Sequence, residues 1–192
     1  MSYFNLYDFI DSGEKSLKDE NYWSALSVAL MLPSMCSRLE YANNETYKNG
    51  DYYKDKKCYV DWCKSQMNND IWIKECLGMG FADVLYNLRC DIVHAGCANI
   101  ADGGKRLFFS LGNHCSGLSF EQFRIIDVKQ LCECLIGHAK SWCATSNMAC
   151  IKNTYIFNSR DRDDKLLYDK LCADERAKQL KAEFEKELTS SE

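Results

Sequence analysis

Arg89 and His94 lie five positions apart on one predicted helix, over residues 81–95. A guanidinium presents a planar fork of donors that matches anionic oxygens. An imidazole titrates near neutral pH and can move a proton. At about 100° per residue, the two stand about 140° apart on an ideal α-helix. They therefore edge one polar face without stacking. A ligand, a second subunit or a local distortion must bring them together. From the helical pattern alone both read as surface polar residues, with Arg89 laid over apolar neighbours.

The same wheel places Val84, Leu85, Leu88, Ile92 and Ala95 on one apolar arc that must pack inward. Asp83, Tyr86, Asn87, Cys90 and Val93 share the other side with Arg89 and His94. Asp91 points away from that arc, and Gly96 stands where a C-terminal cap belongs.

The chain around this helix is mainly helical in pattern, with one proline and ten glycines in 192 residues. A first helix is predicted over 3–18, with Leu6, Ile10 and Leu17 on its inner stripe. Asn21 caps a second, nearly all-apolar helix that should be the buried centre, kinked or split at Pro33. Residues 41–50 read as a loop, and a third helix spans 52–66. Asp70 ends the Asn68–Asp70 cap of a short helix over 71–77. Residues 106–111 read as a strand that forms a small hairpin with 123–126. Asp127 then caps a strong helix to about Thr145, with Gln130 at its third position and Ile126 stapled onto Leu131. The expectation is an all-α helical bundle over 1–158 with a small β-hairpin insertion, and a charged C-terminal helical tail over 159–192.

Composition narrows the function classes. Hydrophobic residues make up 46% and charged residues 27%, which suits a globular domain and not a disordered one. Net charge is −4, so no bulk positive field coats nucleic acid, and any such site must be local. One small basic cluster, Lys54, Lys56 and Lys57, lies among Tyr52, Tyr53 and Tyr59. The longest apolar run is broken by Pro33 and is too short for a bilayer, and the N-terminus lacks a signal pattern. No membrane association and a cytoplasmic location are expected. In a reducing compartment the twelve cysteines read as small buried hydrophobes. No CxxC pair occurs. Cys134 and His138 share a helix face at i, i+4 and can share a metal, but no second pair with ligand spacing follows. No metal and no cofactor are therefore expected. His114 reads as a loop residue beside Cys115, and His138 as a half-buried helix residue.

The segment LYNLRCDIVHAG, Leu85 to Gly96, resembles the signature of the HEPN superfamily, an Arg followed after four to six residues by a His near a helix end. ENYWSALSVALMLPSMCSRLE resembles the early helix of a group of small bacterial HEPN-like proteins, and KKCYVDWCK the aromatic helix that follows in that group. The resemblance covers roughly residues 20–100. It implies a helical bundle that dimerises so that Arg and His faces from two chains share a cleft. It also implies a metal-independent endoribonuclease, with a role in phage defence or as a toxin. Its partners would be RNA, a second copy, and an antitoxin or regulatory RNA that restrains it.

RNA carries its own nucleophile, the 2′-hydroxyl. A protein need only move a proton and hold charge on the phosphate. On this reading Arg89 holds the charge and His94 transfers the proton, leaving a 2′,3′-cyclic phosphate and a 5′-hydroxyl end. Tyr86 stacks on a base or orients the phosphate, and equally packs at a dimer seam. Asn87 supports from nearby. Cys90 departs from the pattern, since active relatives usually carry Asn, His or Asp there. A thiol is a poor hydrogen-bonding substitute for an amide. The alternative is accordingly a catalytically silent HEPN-type module that binds RNA or protein.

Overall fold

The computed structural model describes residues 3–4, 6–49, 52–95, 101–102, 105–111, 123–146 and 154–155. In chain order the elements are β1 (Tyr3–Phe4), α1 (Leu6–Lys18), α2 (Tyr22–Glu40), β2 (Lys48–Asn49), β3 (Tyr52–Tyr53), α3 (Asp55–Met67), α4 (Ile71–Leu77) and α5 (Phe81–Cys90). There follow β4 (Ala101–Asp102), β5 (Lys105–Ser110), β6 (Phe123–Asp127), α6 (Val128–Thr145) and β7 (Thr154–Tyr155). A 3₁₀ turn, Glu45–Tyr47, precedes β2, and a π turn, Asp91–Ala95, extends α5. The described chain is mostly helical. The expected tail helix over 159–192, the Gly96 cap and the His114–Cys115 loop lie outside the described residues.

Two compact units divide the chain. In the smaller, β1 and β7 pair antiparallel, with Tyr3 opposite Tyr155. The larger, Asn5–Ile151, carries the six helices and the remaining strands found among the described residues.

Local chemistry starts three of these helices where the residue types predict. Asn21 Oδ1 accepts from the Ser24 amide at 3.4 Å, Asp70 Oδ1 from Ile73 at 3.1 Å, and Asp127 Oδ1 from Gln130 at 2.8 Å. Each bond satisfies an amide that a helix start leaves without an internal partner. The first helix begins at Leu6 rather than residue 3, because Tyr3 and Phe4 pair as a strand instead.

The second helix neither splits nor ends at Pro33, and runs unbroken from Tyr22 to Glu40. Proline removes one amide and crowds the preceding turn, which disturbs the carbonyls there. The buried Tyr59 hydroxyl donates to the Leu30 carbonyl at 3.2 Å, so a neighbouring helix supplies a donor at this point. Around α2 pack α1, α3, α5 and α6. Gly13 lets α1 come close, since a Cβ there would meet Ile136 and Val28 at 3.1 and 3.2 Å.

The expected hairpin takes a different form. β5 and β6 run parallel, with Phe108 opposite Ile125, and the antiparallel partner of β5 is β4. The physical reason lies in the connection. Twelve residues separate Ser110 from Phe123 (123 − 110 − 1). A tight hairpin needs two to five, whereas a parallel crossover needs about a dozen or more.

Replacing Tyr59 with Phe keeps the packing and removes only the donor to Leu30. We expect Tyr59→Phe to lower unfolding free energy by about 1–2 kcal/mol, read from urea midpoints. An unchanged midpoint means that the carbonyl does not depend on this hydroxyl.

Candidate functional site

The inner side of α5 follows the helical pattern: Val84, Leu85 and Leu88 are buried, as is Ile92 on the π turn. The outer side is more enclosed than expected. Arg89 leaves only 14% of its side chain exposed, because α3 lies against it. Its Nη1 pairs with Asp55 Oδ2 at 3.3 Å and approaches Cys90 Sγ at 3.8 Å. Its Nε is buried and has no acceptor among the described residues.

Asp55 is itself shared. Its other oxygen, Oδ1, accepts from Arg38 Nη2 at 3.1 Å. One carboxylate thus joins arginines from α2 and α5. It does so from the first turn of α3, where the helix dipole favours negative charge.

The remaining candidates cluster unevenly around this pair. Tyr86 is half-buried, its ring edge-on to Tyr59 at 5.5 Å between centroids. Arg89 and Lys56 lie 6.0 and 5.8 Å from the Tyr86 ring. Burial, then a hydrogen bond with Cys90, pushes the Tyr86 hydroxyl above the ordinary phenol range. Cys90 is half-buried beside Arg89, and Asn87 is exposed. His94 lies on the π turn; its side chain falls outside the described residues.

That turn alters the helical arithmetic. An i→i+5 ladder takes more residues per turn than an α-helix, so each residue advances less around the axis. Along the backbone, His94 is therefore closer in angle to Arg89 than the about 140° of an unbroken α-helix.

Asp55 also lines an open groove of about 520 Å³. Lys54, Lys56, Lys57 and Lys64 share it with Asp61 and Asp83. The basic cluster expected from the sequence is present, but acids are interleaved with it. Lys56 pairs with Asp83 at 3.1 Å and Lys57 with Asp61 at 2.6 Å. Lys54 donates to the Thr46 carbonyl at 3.0 Å. Lys57 also sits 4.6 Å above the Tyr47 ring, which stacks on Tyr41.

A second constellation joins α4 to α6. Asp70 caps α4 with Oδ1 and offers Oδ2 to both His138 Nε2, at 2.8 Å, and Cys134 Sγ, at 3.4 Å. The i, i+4 relation of Cys134 and His138 was legible; Asp70 read only as a cap, because its partners lie 64 and 68 residues away. Burial raises the Asp70 pKa, but hydrogen bonds from His138, Ile73 and Cys134 outweigh it and hold the carboxyl below the usual range. Six of the eight described cysteines are fully buried, which fits small apolar side chains, and Cys90 and Cys134 are half-buried. Burial pushes the Cys132 thiol up to about 12.

Comparisons with known protein families, with curated proteins and with solved structures return no match. No described helix is long and apolar enough to cross a membrane.

The groove predicts a pH dependence. Burial raises the Asp61 pKa, while hydrogen bonds from Lys57 and Tyr47 lower it further, so the folded value sits below the unfolded one. Such a group stabilises the fold above the unfolded pKa of about 3.9 and loses that effect as pH falls through the folded value. Asp61→Asn should cost about 0.5 kcal/mol at pH 7, given partial solvent screening. The difference should begin to shrink below about pH 3.9 and vanish only below the lower folded value. Urea midpoints of both proteins against pH measure it, and a constant difference at all pH values contradicts the assignment.

Proposed function

We propose that the protein is a HEPN-like endoribonuclease that cuts RNA without a metal, working as a homodimer whose Arg89 and His94 line a shared cleft. The observation that carries this reading is the π turn at Asp91–Ala95, which begins two residues after Arg89 and holds His94. π turns inside helices recur at functional sites. This one supplies the local distortion that the Arg–His spacing requires. The buried Arg89 Nε, without an acceptor among the described residues, adds support, since such a donor is costly unless something accepts from it.

In the proposed reaction His94 removes the proton from a ribose 2′-hydroxyl or delivers one to the leaving 5′-oxygen. Two copies would divide these tasks. The 2′-oxygen attacks phosphorus, the bond to the 5′-oxygen breaks, and a 2′,3′-cyclic phosphate remains. Arg89 stabilises the charge that builds on the phosphate. Tyr86 provides an aromatic surface, with Asn87 and Cys90 flanking it. Lysines of the groove contact the RNA backbone. The resemblance to HEPN proteins implies a toxin or phage-defence role, which requires restraint by an antitoxin or regulatory RNA.

One observation favours the second reading, a silent module that binds without cutting. Arg89 is already paired with Asp55, and a phosphate must displace that carboxylate to be held.

Labelled RNA incubated in EDTA separates the two. Cleavage with cyclic-phosphate ends, reduced at least about 100-fold by His94→Ala, supports the nuclease. RNA retained uncut, and released by Arg89→Ala, supports the binding module. Asp55→Asn frees Arg89 and removes a negative charge from the groove. Under either reading it should tighten RNA binding and steepen its salt dependence. Unchanged affinity would remove Arg89 from the RNA site.

A further inference from the structure

We propose that Asp70, Cys134 and His138 form a binding site for one zinc ion, which clasps the start of α4 to α6. Their ligating atoms all lie within 4.8 Å of one another. A tetrahedral ion with bonds near 2.0–2.3 Å holds its ligand atoms roughly 3.3–3.7 Å apart. Of two edges of the triangle, the 3.4 Å from Asp70 Oδ2 to Cys134 Sγ lies in that range, and the 2.8 Å to His138 Nε2 falls short of it and must open slightly. Small rotations of side chains close the third.

The elements prepare this geometry. Cys134 and His138 sit one helical turn apart on α6, so they project from the same face. The Ile73 amide holds Asp70 Oδ1, which fixes the carboxylate plane and leaves Oδ2 turned to α6. A ligand oriented by a bond to its other oxygen is a recurrent feature of metal sites.

Charge and access point to the same ion. A thiolate and a carboxylate together offset a dication, and the neutral imidazole adds a third donor. Sulfur with nitrogen suits zinc, whereas magnesium and calcium prefer oxygen alone. Asp70 and His138 are 21% and 24% exposed, so an ion can enter and water can complete a fourth position. On binding, the Cys134 thiol gives one proton to solvent and its sulfur bonds the ion. His138 coordinates through Nε2 with its remaining proton on Nδ1. Without the ion, the His138–Asp70 bond still closes the clasp, so the metal-free protein stays folded. The clasp does not use Arg89 or His94, and chelation leaves the proposed RNA chemistry in place.

Cobalt(II) is the probe, titrated into metal-free full-length protein. One equivalent should give tetrahedral visible bands and a thiolate-to-cobalt charge-transfer band, and zinc should displace it. Cys134→Ser should lose the charge-transfer band, His138→Ala should weaken binding more than tenfold, and Cys90→Ser should change neither. Asp70→Asn retains the cap oxygen and serves as the second variant if Cys134→Ser fails to fold; it too should weaken binding. Failure of the wild-type protein to bind overturns the proposal. So does equal binding by Cys134→Ser, which would place the ion on other cysteines.

Discussion

From Ala25 to Ser37, α2 has no exposed residue. A helix that is apolar all round can persist in water only if every face is covered. That constraint sets the arrangement of the larger unit: α1, α3, α5 and α6 must surround α2. Inside that core Pro33 removes the amide that would serve the Ala29 carbonyl, and the Tyr59 hydroxyl donates to the next carbonyl, that of Leu30. The same burial that demands neighbours gives those neighbours fixed positions.

Because α3 and α5 both lean on α2, their outer edges meet, and the meeting point is charged. Asp55 receives Arg38 on one oxygen and Arg89 on the other. With 27% of the carboxylate side chain exposed and Arg38 53% exposed, this triad is too open to add much stability. Its effect is positional. It holds the Arg89 guanidinium beside Tyr86 and against Asp55, and Asp55 in turn lines the Lys-rich groove.

What was legible in the sequence is what local chemistry decides. The caps at Asn21, Asp70 and Asp127 each act on an amide three residues away, so residue type and spacing are sufficient. The inner stripe of α5 follows from periodicity alone. Most of the features that escaped are set by distant segments. Asp55 reaches Arg89 across 34 positions (89 − 55), and Asp70 reaches His138 across 68. The parallel pairing of β5 and β6 depends on a crossover, which hydrophobic pattern does not distinguish from a hairpin. The π turn depends on one shift in a hydrogen-bond ladder, for which residues 91–95 carry no distinctive signature.

On the proposed reading, the Asp55–Arg89 pair sets which anions can use the site. Asp55 is tethered beside Arg89, so it competes as an internal ligand at high effective concentration. A single small anion offers one contact and loses that competition. A nucleic-acid strand offers many phosphates at once, and each neighbouring contact to Lys54 or Lys64 releases counterions along with the new bond. The strand therefore gathers enough free energy from the groove to displace Asp55, and only then does Arg89 face a phosphate. The net-negative chain can in this way select a polyanion without a broad positive surface, because its few cations answer only a ligand that engages several of them together.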